Sequence, residues 1–408
     1  MRLRSAGPPL SLPSALAPSL ADPSTATLIP RLPLELLALI VQEAIISLVE
    51  KRRRKRAAEL CLISKSLLPF AQDAFYFNIM LRGRSRAAEP STSCPGDKLL
   101  DALERAPHLA RRVFVISTPE HRYYGSPSTK LHLQRARLVC PNVNTLMSAG
   151  IRGWPILIHE ILELVKDFRR VQLGMISSRG VQYVDLLPFA EMSQLEELVV
   201  LQCSLTEPLP PPPRLHLTSF SFEDTRQAPL PLPKLLDHFL SYSTTSLRHL
   251  GLPGHLPLPS LNRFISLTSL DIVFGPYGGK AMHGVQLPTP PLPTSDMLDS
   301  VLAACMSCPL LRRLQLSACV HSAQLVTLIE ETSFLNRLPP SLELLDISLL
   351  PLALPSLLAY LAEAASPSLR RLNVHPLEDS EEQEMLQKTC WARGVEIYSE
   401  RRSGRWWW

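Results

Sequence analysis

The sequence is short of charge and of glycine, and it has no apolar run long enough to cross a bilayer. Only 19% of residues are charged, below the usual quarter, and Gly occurs 16 times in 408 residues. So little glycine excludes a collagen-like chain, and 46% apolar residues exclude one disordered throughout. The longest apolar stretch, Ile347 to Ala362, is shorter than a span and is cut by Pro351 and Pro355, so no membrane helix is expected. Eight cysteines, at 61, 94, 140, 203, 305, 308, 319 and 390, are too scattered for a disulfide framework. Pro8, Pro9, Pro13 and Pro18 break any signal-peptide core after Arg2 and Arg4. A reduced intracellular chain, cytoplasmic or nuclear, is the expectation.

Catalytic signatures are lacking as well. There is no G-x-S-x-G, no H-E-x-x-H and no G-x-G-x-x-G, and the 11 His are dispersed. Gly275-Pro-Tyr-Gly278-Gly279-Lys280-Ala281 is one residue short of a phosphate loop, and Ala281 lacks the hydroxyl that would reach magnesium. Cys305-x-x-Cys308 with Cys319 suggests zinc, but no second pair completes four ligands. Moreover, Cys308-Pro309 repeats the phrase Cys140-Pro141, so repeat register explains the spacing. No catalytic set, metal or cofactor is expected.

A broad basic field is missing too. The net charge is +5, but the run Lys51 to Arg56 holds six of the 42 basic residues, which leaves 36 against 37 acids. No nucleic-acid surface is therefore expected. The run itself reads as a solvated loop or a nuclear-localisation signal.

What the chain has in excess is leucine, 77 residues, and proline, 39. Residues 1–27 are rich in Pro, Ser and Ala without periodicity and read as a disordered leader. In 28–83, Leu37, Ile40, Val41, Ala44, Ile45 and Leu48 share one helical face. A second stripe runs from Ala57 through Leu60 and Ser64, and a third helix follows Pro69, which makes a three-helix unit. Residues 84–98 read as a linker, 99–400 as a repeat domain and 401–408, with Trp406 to Trp408, as a tail.

The repeat is carried by one phrase. Leu195-x-x-Leu198-x-Val200-x-x-Cys203 and Leu311-x-x-Leu314-x-Leu316-x-x-Cys319 fit the leucine-rich-repeat strand motif. Shorter forms begin at Leu247, Leu267, Leu342 and Leu369, and weaker ones at Val143, Val171 and Phe220. The central anchors fall at 146, 171, 198, 220, 250, 270, 314, 345 and 372, in steps of 20 to 31 residues apart from one of 44. Helical stretches lie between them: Ile156–Phe168, Leu232–Leu240, Met297–Met306, Ala323–Phe334 and Leu354–Ala365. One strand and one helix cannot bury an apolar face alone, whereas a stack of them can. The expected fold is α/β: a short helical unit followed by an irregular solenoid with parallel strands on the concave face and helices on the convex face.

The helical unit resembles an F-box. The resemblance lies in Leu32-Pro33-x-Glu35-Leu36-x-x-x-Ile40, Leu60-Cys61-Leu62-Ile63-Ser64-Lys65, and Ala71 with Ala74-Phe75-Tyr76. Fungal F-box proteins are similar, although Leu67 and Leu68 stand where many carry Trp, and the first interhelical loop is unusually basic. Joined to leucine-rich repeats, this pattern is that of F-box substrate receptors of SCF ubiquitin ligases. The resemblance implies that the unit docks a SKP-type adaptor, and through it a cullin and a RING protein. It also implies adaptor contacts at Leu32, Pro33, Glu35, Leu36, Ile40, Leu60 and Ser64. The solenoid would hold an unidentified protein substrate and perform no chemistry itself; a repeat scaffold unconnected to ubiquitin is the alternative.

Residues between the leucine anchors would face that substrate. The pairs Arg248 and His249, Arg312 and Arg313, and Arg370 and Arg371 stand out, the last two as a basic step that suits an acidic or phosphorylated motif.

Overall fold

The structure, a computed structural model, describes residues 36, 41, 55–60, 68–81, 94–118, 127–148, 161–174, 187–201, 211–223, 232–256, 258–274, 293–318 and 322–399. The leader 1–27, Arg52 to Arg54, Leu32, Pro33, Glu35, Ile40, Ser64, the Gly275–Ala281 loop, Cys61, Cys203, Cys319 and the Trp406–Trp408 tail lie outside these residues.

Among the described residues twelve parallel strands form one sheet whose spatial order is the chain order. They are β1 (Asn78–Met80), β2 (Val115–Thr118), β3 (Thr145–Ser148), β4 (Arg170–Gly174), β5 (Glu197–Leu201), β6 (Ser219–Glu223), β7 (His249–Pro253), β8 (Ser269–Phe274), β9 (Arg313–Ala318), β10 (Leu344–Ile347), β11 (Arg371–Val374) and β12 (Glu396–Tyr398). Every sequence anchor falls in one unbroken lateral ladder, Leu146–Val171–Leu198–Phe220–Leu250–Leu270–Leu314–Leu345–Leu372. Ile79 and Ile116 extend it at one end and Ile397 at the other.

The period-two geometry of a strand sends this ladder to one face, where helices cover it. Leu236 and Phe239 of the helix Leu232–Leu240, Val301 of Ser295–Met306 and Leu325 of Ser322–Glu331 are buried in the same core as the ladder leucines. A second buried row stands three residues before most anchors: Val113, Phe168, Leu195, Leu217, Leu247, Leu267, Leu311, Leu342 and Leu369. Helices are about 10 Å across and parallel strands about 4.8 Å apart, so the stack curves with its strands inside.

The repeats also share a hydrogen-bond device. From β1 to β10 the carbonyl just before the strand accepts two consecutive amides of the next repeat: Thr218 from Arg248 and His249, Arg248 from Thr268 and Ser269, Thr268 from Arg312 and Arg313, Arg312 from Glu343 and Leu344. This keeps a repeat in register even where the connecting segment changes length. At the π-turn Tyr360–Ala364 the Ala365 amide reaches back to the Tyr360 carbonyl at 2.7 Å.

The structure moves some boundaries. β1 lies within 28–83, so the sheet begins inside the segment read as purely helical, because Ile79 and Leu81 continue the buried ladder. The helix Pro95–Arg105 starts within the expected linker. Lys55 and Arg56, read as loop, are helical, and both pair with Glu59, at 3.9 and 3.4 Å. The helical unit has a small core of its own, Val41, Ala57, Leu60 and Ala71, flanked by Phe70, Ala74 and Phe75. It is joined to the array by Arg112, which bonds the Asp73 carboxylate and, at 2.9 Å, the Pro69 carbonyl, and by the stacked rings of Phe77 and Phe114. Among the described residues no helix is long and apolar enough to cross a membrane.

Candidate functional site: the open face of the sheet

Opposite the leucine ladder, the sheet presents two outward rows. One runs through Arg170, Glu197, Ser219, His249, Ser269, Arg313, Leu344, Arg371 and Glu396, and the other through Gln172, Val199, Ser221, Gly251, Asp271, Gln315, Asp346, Asn373 and Tyr398. From β6 to β11, Gly251 apart, the second row is polar yet almost fully buried: Ser221, Asp271, Gln315, Asp346 and Asn373. Gly251 lets the Ser221 hydroxyl sit close, since a Cβ on it would lie 2.0 Å from that oxygen and force it to move.

The polar groups of this row differ in how well they are satisfied. Asp346 accepts bonds from the Ser348 amide at 3.1 Å, the Ser348 hydroxyl at 2.8 Å and the Asn373 amide at 2.6 Å. Asn373 in turn accepts from Arg371 Nε at 3.2 Å, and the Arg371 guanidinium lies 3.8 Å from the centre of the Tyr398 ring. One carboxylate thus links three strands. Asp271 has no such support: Oδ1 is buried without a hydrogen-bond partner, and Oδ2 stands 3.6 Å from His249 Nε2. Burial pushes the Asp271 carboxyl up, only partly offset by His249 and Arg313. Burial likewise pushes the His249 imidazole down, against the pull of Asp271 and with the help of Arg313. Arg313 makes one 3.4 Å bond, to Gln315 Oε1, and its Nε has no partner.

Ser269, His249 and Asp271 superficially suggest a nucleophile, base and orienting acid, with His249 Nδ1 at 3.1 Å from Ser269 Oγ. The 3.6 Å from imidazole to carboxylate is too long for the orienting hydrogen bond. The amides facing one another across β7, β8 and β9 are spent on the ladder, which leaves them unable to form an oxyanion hole. What the face offers is hydrogen bonding and charge.

The structure splits each predicted pair. Arg248, Arg312 and Arg370 sit on the exposed rim before their strands, while His249, Arg313 and Arg371 point into the face. Arg312 pairs with Glu343 at 3.3 Å, and β10 separates it from Arg370 and Arg371. A shallow recess there is lined by Arg370 and Arg371 but also by Glu343 and Glu396, so the basic step is offset by acids. In the helical unit Leu36 is 45% exposed, whereas Leu60 is buried in the unit's own core. Asp271, Gln315, Asp346 and Asn373 were missed by sequence reasoning. Their signal was present as the central residue of each L-x-L, but only the register shows that they adjoin.

Cys305 and Cys308 are buried in the main core, and burial pushes the Cys305 thiol up to about 12 and raises Cys308. Cys140 and Cys390 are pushed up to about 11 by the same cause. Brief iodoacetamide treatment of the native protein at pH 8 is expected to leave these four unmodified in a peptide map, and denaturation to expose them. Elsewhere, Cys94, Asp97 and His132 offer ligand atoms within 4.8 Å of one another. His132 already bonds Asp97 at 2.9 Å, and Arg135 beside it spans Asp101 and Glu104 at 2.5 and 2.7 Å. This is a polar seam between the helices Pro95–Arg105 and Pro127–Val139.

Sequential parallel strands, a leucine ladder and a common double-amide carbonyl define the architecture. The fold is a leucine-rich-repeat solenoid. No protein-family model matches the chain, and no curated protein matches it. Among solved structures, a chain in the crystal structure of the Rad7 and Elc1 complex in yeast is similar at 12% identity and TM-score 0.41, over 87% of this chain and 85% of that one. An internalin, inlF of Listeria monocytogenes, is similar at 11% identity and TM-score 0.30, over 90% of this chain and 95% of that one. The solenoid assignment stands on sheet order and register, independently of either.

Proposed function

We propose that this repeat scaffold is the non-catalytic substrate-recognition subunit of an SCF-type ubiquitin ligase. Its helical unit would dock a SKP-type adaptor and its open sheet face a protein substrate. The F-box resemblance of Leu32-Pro33-x-Glu35-Leu36 supports the reading, and the placement of Leu36 carries it. Leu36 and Val41 are both helical, yet Val41 is buried in the unit's core while Leu36 is exposed. On one helix a five-residue separation turns side chains by about 140°, so Leu36 is available to a partner without cost to the core. Leu60 then holds the helices together rather than meeting the adaptor. The Arg112 bonds to Asp73 and Pro69 tie this unit to the first repeats, as a receptor needs in order to hold substrate at a set distance from the transfer machinery.

The test is co-purification of the full chain with a SKP-type adaptor. Wild type is expected to be captured, and Leu36→Asp to reduce capture at least tenfold with an unchanged melting temperature. Failure of wild type to bind would leave a protein-binding scaffold unconnected to ubiquitin.

A further inference from the structure

Asp271 and Asp346 occupy the same outward row, two strands apart, and the chain treats them differently. Asp346 finds donors at the residue two further on, Ser348, and at its neighbour on the next strand, Asn373. At Asp271 the corresponding positions are Val273, which has no side-chain donor, and Gln315, whose oxygen is turned to Arg313. On its other side the register partner is Gly251, with no side chain at all. Asp271 is only 6% exposed, and one of its oxygens meets neither water nor a donor. Arg313, on the adjacent strand, makes no ion pair with it and keeps an unpartnered Nε, while His249 Nε2 stands 3.6 Å from the other Asp271 oxygen. A carboxylate and a guanidinium on adjacent strands thus each keep an unused bond.

We propose that Asp271 anchors a subsite for a basic side chain, lysine or arginine, of a bound peptide, while Arg313 donates to that peptide's backbone carbonyl. The subsite rests on the reading of the open sheet face as the substrate face. Burying a carboxylate without donors costs free energy that an incoming cation recovers, and no hydration shell remains to be stripped from that oxygen. Arg313, held by a single long bond, is the side chain that can yield to admit it. Its Nε then meets an acceptor that every peptide carries. A ligand bringing both a donor and an acceptor satisfies both groups, whereas an acidic side chain would serve Arg313 and repel Asp271. The sign is therefore opposite to that suggested by the arginine pairs.

The experiment is selection from a randomised library of acetylated, amidated nonapeptides on the full chain, beside the isosteric variant Asp271→Asn. Wild type is expected to enrich lysine or arginine at one position, and Asp271→Asn to lose that preference at least tenfold. Its melting temperature is expected to stay level or rise, because an unpaired buried charge is removed. Enrichment of acidic or phosphorylated residues, an unchanged profile in Asp271→Asn, or no enrichment at all would overturn the subsite. So would a marked fall in the melting temperature of the variant, which would make Asp271 structural. Adaptor capture is measured on the same preparations. Basic enrichment without capture defeats the ligase reading alone, and capture without enrichment defeats the subsite alone.

Discussion

Phe239→Ala is expected to destabilise the middle of the array by about 3–5 kcal/mol. Phe239 is buried, and its ring centroid lies 5.6 Å from those of both Phe189 and Phe220, edge-on to the first and tilted to the second. Phe189 belongs to the turn Leu187–Glu191 before β5, Phe220 to β6, and Phe239 to the helix that precedes β7. One side chain therefore joins three successive repeats. Truncating it leaves a cavity that rigid neighbouring strands cannot close, in addition to the lost transfer energy. In a solenoid each repeat touches only its neighbours, so the damage should stay local. Hydrogen exchange is expected to accelerate in β5, β6 and β7 while β10 to β12 keep their protection. A uniform loss of protection across all twelve strands would contradict nearest-neighbour stability.

The leucine phrase made the fold legible because its physics is one-dimensional. An anchor buried on the helix-covered face must be apolar in every repeat, so Leu198, Leu250, Leu270, Leu314, Leu345 and Leu372 advertise themselves. β2 and β12 escaped notice because Ile116 and Ile397 fill the anchor position, with Val113 three residues before the first and Val395 two before the second. A β-branched residue suits a buried strand as well as leucine does, but a search keyed to leucine passes over it. β1 has only three residues and begins two residues after the end of the helix Leu68–Tyr76. The open face obeys a different rule. Its residues carry no required type, and which of them adjoin depends on strands whose anchors stand 20 to 44 residues apart in the chain. The arginine doublets attracted attention as charge, yet half of them lie on the rim, and Arg312 is paired with Glu343. Asp271 and Asp346, single letters between two apolar anchors, looked ordinary in the chain.

Asp346→Ala is expected to cost on the order of 3 kcal/mol, in contrast to Asp271→Asn. Asp346 is 1% exposed and receives three hydrogen bonds. Alanine would strand the Asn373 amide and the Ser348 hydroxyl in a buried setting, and an unmet buried donor costs more than its bond contributed. The loss should then travel along the chain of contacts: Asn373 orients Arg371, and Arg371 lies against Tyr398 of the last strand. β12 pairs through only three residues, so it has little else to hold it in the sheet. Hydrogen exchange in β11 and β12 should rise first, with β7 and β8 unaffected. In a double-mutant cycle Asp346→Ala with Asn373→Ala should cost less than the two single changes summed, by about 1 kcal/mol or more, since the second removes the donor that the first orphans. Full additivity would show that the two side chains act independently. The same residue type in the same row would thus split by its donors: Asp346, fully satisfied, closes the end of the solenoid, and Asp271, left unsatisfied, gives up stability where a ligand can restore it.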